Sequence, residues 1–93
     1  MTILVDDPIW EAHGRRWAHL VSDESVEELH DFALALGIPS RGFDRDHYDI
    51  PGEYVLQAIE LGATKVGAKE LLGRLIAAGL RIRRSPNLEL NIG

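Results

Sequence analysis

The sequence contains no cysteine. That excludes disulfides, thiolate metal sites and a cysteine nucleophile, and because small secreted domains usually need disulfide staples, a cytoplasmic location is expected. No apolar run approaches membrane-spanning length, and Met1-Thr2-Ile3-Leu4-Val5-Asp6-Asp7 has neither the basic start nor the apolar region of a signal peptide. No membrane association is expected. Aromatic residues are only 6 % of the chain, and both tryptophans, Trp10 and Trp17, fall in one short stretch. Phosphate-loop, dinucleotide-glycine, nucleophile-elbow and zinc-protease patterns are absent as well, which removes the best-marked enzyme classes.

The chain of 93 residues has enough material for one core. A core this small leaves a thin stability margin, so assembly into a homo-oligomer, most simply a homodimer, is expected. Net charge is -5 and unevenly spread: residues 1 to 53 carry 12 acids and 4 bases, residues 54 to 93 carry 3 acids and 6 bases. The acidic half argues against nucleic acid as a partner, because that binding depends on neutralising phosphates. The basic run Arg81-Ile82-Arg83-Arg84 reads more simply as a solvated face than as a phosphate-binding edge.

Along the chain, Ile3-Leu4-Val5 is a short buried strand closed by Asp6-Asp7-Pro8. Asp6 to Asp23 shows no dominant period and reads as a long connection, a kind of segment that often carries function. Ser25-Val26-Glu27-Glu28 is a capping box opening a helix over 26–36, with Val26, Leu29, Ala33 and Leu36 on one face and Gly37 as its left-handed cap. Ile38 to Asp44 is expected to hold a second strand, shortened by Pro39. Pro51 suits the first turn of a second helix that Gly62 stops, Thr64-Lys65-Val66 is a brief strand, and Ala68 to Ala78 is a third helix capped by Gly79. Leu80 to Arg84 alternates like a strand. Leu88, Leu90 and Ile92 mark a terminal one that either adds an antiparallel edge or pairs with a partner chain. Alternation of strand and helix predicts an α/β fold with a small, mainly parallel sheet of about four strands covered by helices.

In parallel sheets, ligands bind beyond the carboxyl ends of the strands. That rule would gather Asp6 and Asp7 after the first strand, and Asp44, Asp46, His47, Tyr48 and Asp49 after the second, on one rim within reach of His19. Carboxylates with imidazoles suit a divalent ion of intermediate hardness such as zinc, manganese or iron, which activates water or polarises a phosphate. Asp6, His19 and His47 are the expected metal ligands, and Asp6, Asp7, His19 and His47 the candidate acids and bases. Arg15 or Arg16 can clamp an anionic group, and Arg15, Trp17 and Tyr48 are the candidate substrate contacts. Each has a simpler structural reading: Asp6 and Asp7 as turn formers, Asp49 as a helix cap, the tryptophans as packing anchors and His30 as part of a solvated helical face. His13 and His19 match no metal-binding helical spacing.

Val5-Asp6-Asp7-Pro8, Trp17-Ala18-His19-Leu20-Val21-Ser22-Asp23, Glu28-Leu29-His30, Leu36-Gly37-Ile38 and His47-Tyr48-Asp49 together resemble a small bacterial and phage family, domain of unknown function 4031. The resemblance runs from about Ile3 to Arg84. It implies that Asp6, Asp7, Trp17, His19, His30, His47 and Tyr48 lie at motif positions of that family, and it brings no reaction, substrate or cofactor. Two functions follow from the residues: a metal-assisted hydrolase or phosphate- or nucleotide-directed enzyme acting on a small anionic ligand, and, as the alternative, a non-catalytic module that binds a ligand or protein through Trp10 and Trp17.

Overall fold

A computed structural model describes residues 2–82. Its centre is a six-stranded sheet of β1 (Ile3–Val5), β2 (Trp10–Ala12), β3 (Arg15–Ser22), β4 (Phe43–Asp44), β5 (His47–Pro51) and β6 (Thr64–Lys65), with α1 (Val26–Leu36), α2 (Val55–Glu60) and α3 (Ala68–Ala77) packed on it. The order is β4-β5-β3-β1-β6, and β2 also pairs with β3. Among these strands only β1 and β6 run parallel; every other pairing is antiparallel. The fold is therefore mixed α/β with three helices, and the mainly parallel sheet expected from the alternation is corrected. The cause is two tight hairpins inside segments that read as connections.

The first hairpin replaces the long connection after Asp6. Ala12 faces Arg15 across a two-residue turn in which His13 and Gly14 both have positive φ, 53° and 77°. That is the conformation a right-twisted hairpin requires, with His13 in the place more often taken by asparagine. β3 then alternates cleanly: Trp17, His19 and Val21 point to one face, Ala18, Leu20 and Ser22 to the other. The alternation is masked in the sequence because both faces carry apolar residues. The second hairpin pairs Asp44 with His47 across Arg45-Asp46, Arg45 at φ 62°. Ile38 to Asp44 is thus not one strand: Ser40–Gly42 is a short 3₁₀ turn, and only Phe43–Asp44 joins the sheet. Pro51 closes β5 instead of opening a helix, and α2 begins at Val55 after a 3₁₀ turn at Gly52–Tyr54. Leu80 to Ile82 are not in a strand, and the strand expected over Leu88 to Ile92 lies outside the described residues.

The helices follow local chemistry. Ser25 Oγ accepts the Glu28 backbone N–H at 3.1 Å, satisfying one of the helix's orphan donors. Glu28 does not complete the box. Its carboxylate accepts from Ser22 Oγ, which in turn accepts the N–H groups of Glu24 and Ser25. At the other end Gly37 adopts φ 89° and the Ile38 N–H returns to Ala33 C=O, a left-handed closure that a side chain would strain.

Two apolar clusters lie on opposite faces of the sheet. Ile3, Val5, Ala18, Leu20, Tyr48 and Ile50 pack under α1 and α2. Leu4 and Val21 pack against Leu71 and Leu75 of α3, with Val66 and Leu80 at the edge. Arg74 of α3 donates to Asp23 Oδ2 at 2.7 Å, and Asp23 Oδ1 takes the Thr2 N–H. α3 thus covers the Leu4–Val21 half of its face and leaves the half bearing Trp17, His19, His47 and Asp49 beside it. Among the described residues no helix is long and apolar enough to cross a membrane.

Candidate functional site

The exposed half-face gathers its polar side chains by strand pairing. His19 lies opposite Asp49 in the β3–β5 ladder, and Leu20 opposite Tyr48. His19, His47 and Asp49 therefore share a face, whereas Tyr48 points the other way. β1 and β5 run in the same direction but are separated by β3, so the acids meet on a sheet face and not at a shared rim of parallel neighbours. That corrects the reason for their convergence.

Each histidine is backed by a buried carboxylate. Asp6, 1 % exposed, takes the His19 backbone N–H on Oδ1 at 2.6 Å and faces His19 Nδ1 with Oδ2 at 2.8 Å. Asp46, 2 % exposed, faces His47 Nδ1 with Oδ1 at 2.7 Å and takes the Ile82 N–H on Oδ2 at 2.8 Å. Arg81 Nη1 stands 3.6 Å from the same oxygen, so the charge of Asp46 is shared between an imidazole and a guanidinium. A carboxylate on Nδ1 fixes the proton there and frees the Nε2 lone pair. The two rings sit edge to face with centroids 5.2 Å apart.

Asp49 completes the group. One ligand atom from each of His19, His47 and Asp49 falls within 4.8 Å of the others, the reach of a single ion. Asp49 Oδ1 stands 3.1 Å from His47 Nε2, an ion pair when the imidazole is protonated, and has no other hydrogen-bond partner among the described residues. A buried carboxylate oxygen is costly unless a positive charge faces it, whether the His47 imidazolium or a bound cation. Burial pushes the His47 pKa down, but Asp49 and Asp46 on its two sides outweigh it and hold it above the ordinary histidine value.

Trp10 lies over the site, its ring parallel to that of His19 within 5° at a centroid distance of 5.9 Å. A cleft of about 310 Å³ opens between His19, His47 and α3, walled by Asp6, Val21, Leu72 and Arg81. On the other flank Asp49 also borders a groove shared with Trp17 and Arg41.

Of the residues expected at a site, Asp6, His19 and His47 lie together. Asp7 is exposed and paired with Lys65 Nζ at 2.7 Å. Arg15 sits 5.8 Å over the Trp17 ring and 4.0 Å from Glu53. Trp17 donates its Nε1–H to Ala12 C=O. Tyr48 lies in the core under α1, with its hydroxyl 2.6 Å from His30 Nδ1 and its pKa raised by burial. Asp46 and Asp49 stand on the rim expected from the sequence but have no metal, catalytic or substrate role in that reading. Asp49 reads as a helix cap in the sequence, and the burial of Asp46 depends on Arg81 and Ile82, far along the chain. The signal that would have found both is the hairpin register, which makes His47-Tyr48-Asp49 an i, i+2 pair on one face.

The chain matches the family described as a protein of unknown function, DUF4031, over residues 3–78, and belongs to it. No curated protein and no solved structure matches the chain.

Proposed function

We propose that this protein is a metal-assisted hydrolase whose divalent ion, zinc, manganese or iron, is held by His19, His47 and Asp49. The observation that supports the reading is the pair of imidazoles, each with Nδ1 on a buried carboxylate, whose ligand atoms lie within 4.8 Å of each other and of a carboxylate oxygen of Asp49. Metal-bound histidines are usually oriented by a carboxylate on the other ring nitrogen in this way, and two histidines with one carboxylate leave coordination positions open for water and substrate. Asp6 and Asp46 then act through the imidazoles by fixing tautomer and orientation, which gives Asp6 a different role from that of a direct ligand. The ion would lower the pKa of water and polarise the substrate's electrophilic oxygen. In the hydrolysis, water oxygen bonds to the electrophilic centre, the bond to the leaving oxygen breaks, and the proton passes to that oxygen. Trp10 shields the face of His19 from bulk water.

Calorimetric titration of the full chain with zinc at neutral pH tests this. One binding event is expected, lost in His19→Ala and in Asp49→Ala. Absence of binding heat in the wild-type chain, together with no manganese or iron found by elemental analysis, overturns it. A second reading, a non-catalytic ligand-binding module, is favoured by one feature: Trp10 is 44 % exposed, an area of aromatic surface suited to stacking.

A further inference from the structure

We infer that the groove on the far side of Asp49 is a nucleoside-phosphate subsite, with Arg41 and Arg15 as the phosphate clamp and Trp17 and Tyr54 as the walls for the base. The groove has a volume of about 560 Å³ and is lined by Arg15, Trp17, Arg41, Asp49, Glu53 and Tyr54. That volume lies in the range of small-ligand pockets. It holds two guanidinium groups and two aromatic rings in the half of the chain that is otherwise strongly acidic.

Arg41 carries the argument furthest. It belongs to the 3₁₀ turn Ser40–Gly42, which lies beside β5: an added Cβ at Gly42 would stand 3.5 Å from the Asp49 carbonyl oxygen, in ordinary van der Waals contact. The backbone thus lies beside Asp49, and the guanidinium has no ion pair or hydrogen bond among the described residues. Arg15 is nearly as available: its contact with Glu53 is 4.0 Å between two largely exposed side chains, an arrangement of little energetic weight that a phosphate would displace. Guanidinium forks match phosphate oxygens in pairs. Arg15 is also poised 5.8 Å above Trp17, so one side chain can reach a phosphate while its plane extends the aromatic wall.

Charge makes the subsite depend on the neighbouring site. Asp49 borders both, and its carboxylate weakens phosphate binding to the arginines, a penalty that a cation on it removes. The inference deepens the proposed metal site and rests on it for the reaction, while binding to the arginines and rings is separable. The excess of acids over bases in residues 1–53 favours a mononucleotide over a polymer.

Calorimetry of the full chain with adenosine 5′-monophosphate, adenosine and inorganic phosphate, each with and without one equivalent of zinc, is the test. The monophosphate is expected to bind roughly tenfold or more tighter than either fragment, since base stacking and charge-assisted hydrogen bonds add. Zinc should tighten it further. Arg41→Ala should cost about tenfold in nucleotide affinity and leave zinc affinity unchanged. A monophosphate no tighter than phosphate alone, or an Arg41→Ala chain that binds it equally well, overturns the subsite even where zinc binds as proposed. Nucleotide binding lost in Arg41→Ala but present in a chain that takes no zinc supports the subsite and removes the metal reading instead.

Discussion

Replacing Asp6 by asparagine changes one atom in the buried support of His19, and the outcome follows from counting acceptors. The carboxylate has two oxygens, one on the His19 N–H at 2.6 Å and one on Nδ1 at 2.8 Å. An amide has one oxygen and one NH₂ group. The backbone N–H cannot change its nature, whereas the imidazole can, so the amide oxygen stays on the N–H and its NH₂ faces Nδ1. The ring proton then moves to Nε2, the atom the proposed ion needs. Loss of such a partner typically lowers metal affinity 10- to 100-fold, about 1.4–2.8 kcal/mol. Stability should fall by only about 1–2 kcal/mol, the difference between charge-assisted and neutral hydrogen bonds. Zinc calorimetry reads the first number, urea unfolding of the metal-free chain the second, and long-range ¹H–¹⁵N spectra of the imidazole the tautomer. Unchanged zinc affinity with a switched tautomer refutes the reasoning. Complete loss of binding, equal to that of His19→Ala, refutes it differently, by making Asp6 a ligand itself.

Two pH dependences follow. His47 is held above the ordinary histidine value, so in the metal-free chain its charged form adds stability that is fully present below about 6.5, the unfolded value, and is lost as pH rises through the folded one. Zinc must displace that proton, so its affinity should climb with pH across the same window, and calorimetry in buffers of different ionisation enthalpy should register the released proton. Burial opposes the charge of Asp23, but Arg74, the Thr2 N–H and the chain amino terminus outweigh it and lower its pKa. Its contribution is therefore present above about 4 and lost as pH falls through the folded value. Arg74→Gln should lessen that acid sensitivity in pH-dependent urea unfolding, the Thr2 N–H remaining, and leave zinc affinity intact.

How much of this could be read from sequence depended on whether the signal was local. Ser25 and Gly37 mark both ends of α1 within a few residues, and Ile3-Leu4-Val5 and Ala68 to Ala78 announce themselves by composition. The β2–β3 hairpin did not, because β3 has apolar residues on both faces and its turn uses His13 where asparagine would have flagged it. That hairpin and the one at Arg45-Asp46 are what make the sheet mostly antiparallel where the alternation of elements predicts a parallel one. Asp6, His19 and His47 were nevertheless legible as a polar group beside short apolar segments. The roles were not, since whether a carboxylate ligates or supports depends on which donors surround it in space. Asp46 is the clearest instance: alone it is a turn residue, and only the Ile82 N–H and Arg81 make it a buried anion.

That same contact makes the stretch following α3 a mechanical part of His47's mounting. Ile82 is bolted to the carboxylate that steers the imidazole, so anything that loads the polypeptide downstream, such as a fused tag or a docked partner, pulls on a string tied to the ring. Affinity handles used in the zinc measurements are better attached at the opposite terminus, and a handle placed downstream would itself report how taut that string is.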